Sequence, residues 1–146
     1  MNNFIKSLMH DECEISIPQI VVNEFCHQVY MDVLSEYQHK KNIGGDKIAL
    51  YKKNPNLIAL GHNKISDAVK YSDTLVSKRD LNEGGLAVRD RALTLMRQYN
   101  FLPSDAFIAA IAVENKIGHI ATLDRYFAKR ISERYLKVFM PGELIY

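Results

Sequence analysis

Residues 102–110, LPSDAFIAA, and residues 120–127, IATLDRYF, decide the fold of this chain. In the first stretch Asp105 opens an almost wholly apolar helix, and in the second Asp124 closes a short apolar strand. The distance between the two aspartates along the chain leaves room for a helix, a turn and a strand. In an α/β fold such a path returns to the same edge of the sheet, and two acids gathered there are what a divalent-metal site needs.

The bulk properties describe an ordinary globular protein. With 146 residues, of which 47% are apolar and 25% charged, the chain is long enough for one domain with a real core, and we expect residues 1–146 to form it. No apolar run suggests a membrane span, and the first residues do not resemble a signal peptide. Cys13 and Cys26 have no metal-type spacing, so we interpret them as reduced thiols in a cytoplasmic protein. The net charge of +2 neither demands nor excludes nucleic acid.

Apolar spacing predicts alternating strands and helices along most of the chain. Between positions 39 and 63 the apolar spacing becomes irregular, and the segment contains five lysines but one acid. This suggests a lysine-rich insertion or a loosely packed helical segment. The alternation predicts a three-layer α/β/α fold with a parallel sheet flanked by helices. The predicted helices cover 2–9, 19 to about 38, 65 to about 77, the stretch that follows Gly84-Gly85 and runs to Tyr99, and 106–113. The predicted strands cover 14–17, 120–123 and 135–140. Leu86, Leu93, Met96 and Tyr99 are expected to face inward.

Each acid taken alone has an ordinary structural explanation. Asp105 follows Ser104 at a helix start, where the helix dipole favours a negative charge. Asp124 fits a turn at the end of a strand, and Glu24 lies on the first long helix outside its apolar stripe. No single one of them predicts a metal site.

The three local contexts together are more specific. They are Asn23-Glu24 on a helix after Ile-Ser-Ile-Pro, Ser104-Asp105-Ala106 opening an alanine-rich helix, and Thr122-x-Asp124-x-x-Phe127 after a strand. In this combination the chain resembles the PIN-domain nucleases, notably the VapC-type toxins of toxin–antitoxin pairs. The resemblance implies an endoribonuclease that uses Mg²⁺ or Mn²⁺, with Glu24, Asp105 and Asp124 as metal ligands and catalytic acids. It also implies that Thr122 braces the acidic cluster, with Ser104 as a further support.

The same resemblance implies the partners. They are an RNA substrate and a cognate antitoxin, with homodimerisation open and no membrane involved. Arg125, Lys129 and Arg130 follow Asp124 and would flank the site, so they are the candidates for RNA contacts. The tyrosines and phenylalanines mostly fall at core-like positions and do not predict base stacking.

One part of the family pattern has no counterpart in this sequence. The family opens with an apolar strand ending in Asp-x-Asn, whose aspartate supplies the first metal ligand, whereas this sequence begins at what resembles the following helix. Loss of one charged ligand should weaken divalent binding. The sequence leaves open whether this strand lies upstream, is supplied by another chain or is lost. The last case gives the alternative hypothesis of a catalytically degenerate PIN-like module that binds RNA or a protein partner.

Overall fold

The computed structural model describes residues 14–74, 76, 80–131 and 136–140. These divide into two compact units, one formed by the described residues up to 20 and from 80 onward, the other by 21–76. The helices are α1 (Gln19–Lys41), α2 (Lys47–Lys53), a 3₁₀ turn (Pro55–Leu57), α3 (Ile58–Asp73), α4 (Leu86–Tyr99), α5 (Pro103–Glu114) and α6 (Arg125–Arg130). The strands are β1 (His119–Ala121) and β2 (Lys137–Phe139). No helix in the described part of the chain combines the length and apolar character needed to cross a bilayer.

The core of the first unit is the contact between α4 and α5. Helix α5 is buried over most of its circumference, as its apolar sequence predicts, and four of its five fully buried residues are alanines. Small side chains let the facing helix approach closely, and α4 meets them with a narrow apolar face. The buried residues are Ala106, Ala109, Ala110, Ile111 and Ala112 on α5, and Val88, Ala92 and Leu95 on α4.

The face of α4 that packs inward differs from the one predicted. Leu86 and Leu93 were expected in the core, but they are 69% and 56% exposed. Val88, Ala92 and Leu95 pack on the alanine surface of α5. Because this face of α4 is turned inward, the two leucines are exposed to solvent. The bounds of α4 agree with the prediction.

The small sheet pairs β1 with β2 in parallel. Its register places Ile120 opposite Val138 and Ala121 opposite Phe139, and the Thr122 N–H continues the pairing to the Phe139 carbonyl at 3.0 Å. The parallel arrangement agrees with the sequence, although β1 begins one residue earlier than expected and ends at Ala121. Within the residues described the sheet has two strands, so the three-layer arrangement stays a prediction.

Two predictions at the ends of the chain have different outcomes. The strand expected at residues 14–17 is wrong, because residues 14–18 adopt no regular element and lead directly into α1. Four alternating residues fit an extended entry to a helix as well as they fit a strand. The helix predicted at 2–9 lies outside the described residues, as does Tyr135 of the last strand.

The second unit contains most of α1 together with α2, the 3₁₀ turn and α3. Asp46 caps α2, because its carboxylate accepts hydrogen bonds from the N–H groups of Ile48 and Ala49, both at 3.1 Å. Gly61 lies against α1, where an added Cβ would be 3.1 Å from a ring carbon of Tyr30. The segment 39–63 is therefore largely helical, and α3 begins at Ile58 rather than near residue 65.

The α4–α5 contact generates a stability prediction. Ile111 is 2% exposed, so Ile111→Ala should lower the free energy of unfolding by about 2–5 kcal/mol through lost burial and a cavity. Leu93→Ala removes a comparable side chain from the exposed face and should cost less than about 0.5 kcal/mol. Urea denaturation of both variants measures the difference. Equal losses of unfolding free energy in the two variants would contradict the assignment of Leu93 to the exposed face of α4.

Candidate active site

Asp105 lies in the first turn of α5. The residue before the helix, Leu102, is extended, and Pro103 occupies the first helical position, where its missing N–H costs nothing. Ser104 and Asp105 follow, both partly buried. The carboxylate therefore stands where the helix dipole favours a negative charge.

Asp124 caps the start of α6. Its Oδ1 atom accepts hydrogen bonds from the N–H groups of Tyr126 at 2.8 Å and Phe127 at 3.1 Å. These bonds satisfy two of the N–H groups that a helix start leaves without a partner. Within the described residues Oδ2 accepts no hydrogen bond, and the side chain is exposed. One oxygen is thus structural and the other is available to a ligand.

Thr122 fixes the turn that carries Asp124. Its Oγ1 accepts a hydrogen bond from the Asp124 N–H at 3.0 Å, while its own N–H donates to Phe139 on β2. Thr122 therefore connects Asp124 to the sheet. The contact is made to the backbone of Asp124, not to its carboxylate.

Arg130 links α6 to the turn between α4 and α5. Its Nη1 donates to the carbonyls of Tyr99 at 3.1 Å and Asn100 at 2.7 Å. Asn100 ends α4 in the left-handed conformation, with φ of 53°. Carbonyls at a helix end carry partial negative charge, so a guanidinium binds there favourably.

A row of aromatic rings supports the same link. Phe127 is buried and stacks on Phe101 with centroids 5.5 Å apart, and Phe101 stacks on Tyr99 at 5.8 Å. Because Phe101 lies between α4 and α5, these rings attach the helix after Asp124 to the turn before Asp105. The structure thereby ties together the two elements that begin with the candidate acids.

The remaining predicted site residues are placed as follows. Glu24 is exposed on α1, in the second unit. Arg125 and Lys129 are exposed on α6, and together with Met140 they line an open cavity of about 320 Å³ beside β2. Within the described residues of either unit, no three Asp, Glu, His or Cys side chains are gathered closely enough to hold a metal ion.

The arrangement of Arg130 and Tyr126 was missed by the sequence analysis. The guanidinium carbon lies 3.9 Å from the centroid of the Tyr126 ring, and Tyr126 is 52% exposed. The signal was available, because residues four apart on a helix share a face and Arg pairs well with aromatic rings.

Comparison with known proteins gives one finding. The family model described as PIN domain matches residues 3–131, which is most of the chain. No curated protein and no solved structure matches it significantly.

The capping role of Asp124 generates a prediction about stability. Asp124→Ala should lower the free energy of unfolding by about 1 kcal/mol, because two N–H groups of α6 lose their acceptor. Asp124→Asn keeps an acceptor oxygen and should retain most of that stability. Thermal unfolding of the two variants measures the difference, and an Ala variant as stable as the Asn variant would contradict the cap.

Proposed function

Because the chain belongs to the PIN-domain family, we propose that it is a Mg²⁺- or Mn²⁺-dependent endoribonuclease using Asp105 and Asp124 as metal ligands. Glu24, in the second unit, stays a prediction of the family resemblance. PIN domains are generally nucleases and typically use divalent metals. One observation carries the proposal: within the first unit, the structure joins the start of helix α5 to the start of helix α6. Asp105 opens α5, Asp124 opens α6, and Arg130 joins α6 to the turn before α5.

The donor chemistry of these residues fits a hard divalent cation. Mg²⁺ and Mn²⁺ prefer carboxylate oxygens, and the two aspartates offer them at the surface or partly buried. Asp124 can offer Oδ2 without giving up the hydrogen bonds that Oδ1 accepts. When bound, such an ion stabilises charge on a phosphate and makes a bound water more acidic.

The other residues of the chain hold these acids in place. Thr122 fixes the backbone of Asp124 against β2, so the carboxylate direction is set before any ligand arrives. Ser104 precedes Asp105 in the first turn of α5 and is partly buried beside it. A preorganised acid loses less freedom on binding a ligand than an acid on a loose loop.

The biological setting within this proposal rests on the VapC-type resemblance of the three motifs. The chain is then the toxin of a type II toxin–antitoxin pair, acts on RNA in the cytoplasm, and is held inactive by a cognate antitoxin. Arg125 and Lys129 are exposed cations on α6 that suit contacts to RNA phosphates. A homodimer is compatible with this setting.

The proposal predicts metal-dependent cleavage that requires both aspartates. The purified 146-residue chain should cleave RNA with Mn²⁺ and not with EDTA, and Asp105→Asn or Asp124→Asn should lower the rate at least about 100-fold. Gel analysis of a labelled RNA measures the rates. Asparagine is chosen because at position 124 it keeps the cap while removing the charge.

Asp46→Asn is the matched control. Asp46 also caps a helix, α2, accepting from Ile48 with Oδ1 and from Ala49 with Oδ2, but it belongs to the second unit and has no proposed catalytic role. Its variant should cleave at the wild-type rate. Metal-dependent cleavage that survives in both site variants would contradict the assignment, and RNA binding without cleavage by the wild type would favour the degenerate module.

A further inference from the structure

Tyr126 is an exposed aromatic ring that the protein holds in a fixed position. Its N–H donates to Asp124 Oδ1, so its backbone is set by the cap of α6. The Arg130 guanidinium carbon lies 3.9 Å from the ring centroid and covers the ring. Tyr126 nevertheless stays 52% exposed.

Arg130 is itself immobilised. Its Nη1 donates to two carbonyls, those of Tyr99 and Asn100, at the end of α4. A planar guanidinium fixed by two hydrogen bonds restrains the ring on which it lies. An exposed tyrosine ordinarily loses side-chain freedom on binding, and this one has given up part of that freedom beforehand.

We infer that Tyr126 is a stacking surface for a base of single-stranded RNA, and that Arg130 is the residue that positions its ring. The inference rests on the proposed function for the identity of the ligand. Every nucleobase has an apolar π-face, and proteins that bind single strands present aromatic rings to it. A cation behind the ring adds to the attraction between ring and base.

The surroundings of the ring favour a nucleic acid strand. Tyr126 follows Asp124 by two residues and donates its N–H to that carboxylate, so the ring belongs to the same helix start as the acid proposed to bind the metal. Leu123, the residue before Asp124, is an exposed apolar side chain as well. The exposed cations Arg125 and Lys129 on α6 would attract the strand's backbone.

The test is binding of a fluorescein-labelled oligouridine to the full chain, measured by fluorescence anisotropy in EDTA so that no metal-dependent cleavage occurs. Tyr126→Ala should raise the Kd about tenfold, within the fivefold to hundredfold range typical of a lost stacking ring. Tyr126→Phe keeps the ring and should bind within about twofold of wild type. Tyr71→Ala removes a tyrosine of similar exposure, 54%, from α3 in the second unit and should also bind like wild type.

An abasic strand of the same length identifies the interaction as stacking. Its affinity should be independent of residue 126, because it has a backbone but no bases. Arg130→Lys keeps the charge but loses the planar group, so it should weaken binding of the oligouridine several-fold and leave the abasic strand unchanged. Equal losses on the two strands would overturn the roles of Tyr126 and Arg130.

Two further results would also overturn the inference. They are an unchanged Kd in Tyr126→Ala and the absence of binding by the wild type. Because binding is measured without metal, a chain that fails to cleave can still confirm stacking. Conversely, cleavage that needs Asp105 and Asp124 can be confirmed even if Tyr126 proves irrelevant.

Discussion

The packing of α4 on the alanine surface of α5 is the constraint on which the rest of the first unit depends. Because the buried surface of α5 is mostly alanine, α4 lies close to it, and the short turn between them is fixed. Phe127 and Arg130 use that turn as their docking surface, one through ring stacking and the other through two carbonyls. The positions of Asp124 and Tyr126 therefore follow from a helix contact that neither residue makes.

In Asp124 the structural role does not compete with the proposed ligand role. Its Oδ1 caps α6, which accounts for an aspartate at this position without any function. The same two hydrogen bonds aim the carboxylate and leave Oδ2 free of partners in the described residues. Helix capping thus prepares this acid for the role that the PIN-domain family implies.

The sequence predicted the features that depend on local chemistry. The bounds of α4, the apolar character of α5 and the parallel direction of the sheet are confirmed. The predictions that failed depend on neighbours. Leu86 and Leu93 were assigned to the core from periodicity. Periodicity does not determine which of two apolar stripes of α4 packs against a neighbouring helix. The strand expected at 14–17 needed a pairing that four residues do not specify.

By itself the sequence determined the bounds of α4 and the apolar character of the helix that carries Asp105, because glycine placement and apolar runs act within a few residues. Its motifs also indicated the PIN-domain family, to which the chain belongs. Only the tertiary structure decided that Arg130 binds the end of α4 and lies over an exposed Tyr126. The hydrogen bonds of Arg130 to the end of α4 join residues some thirty positions apart, and such pairings are set by the packing of whole helices.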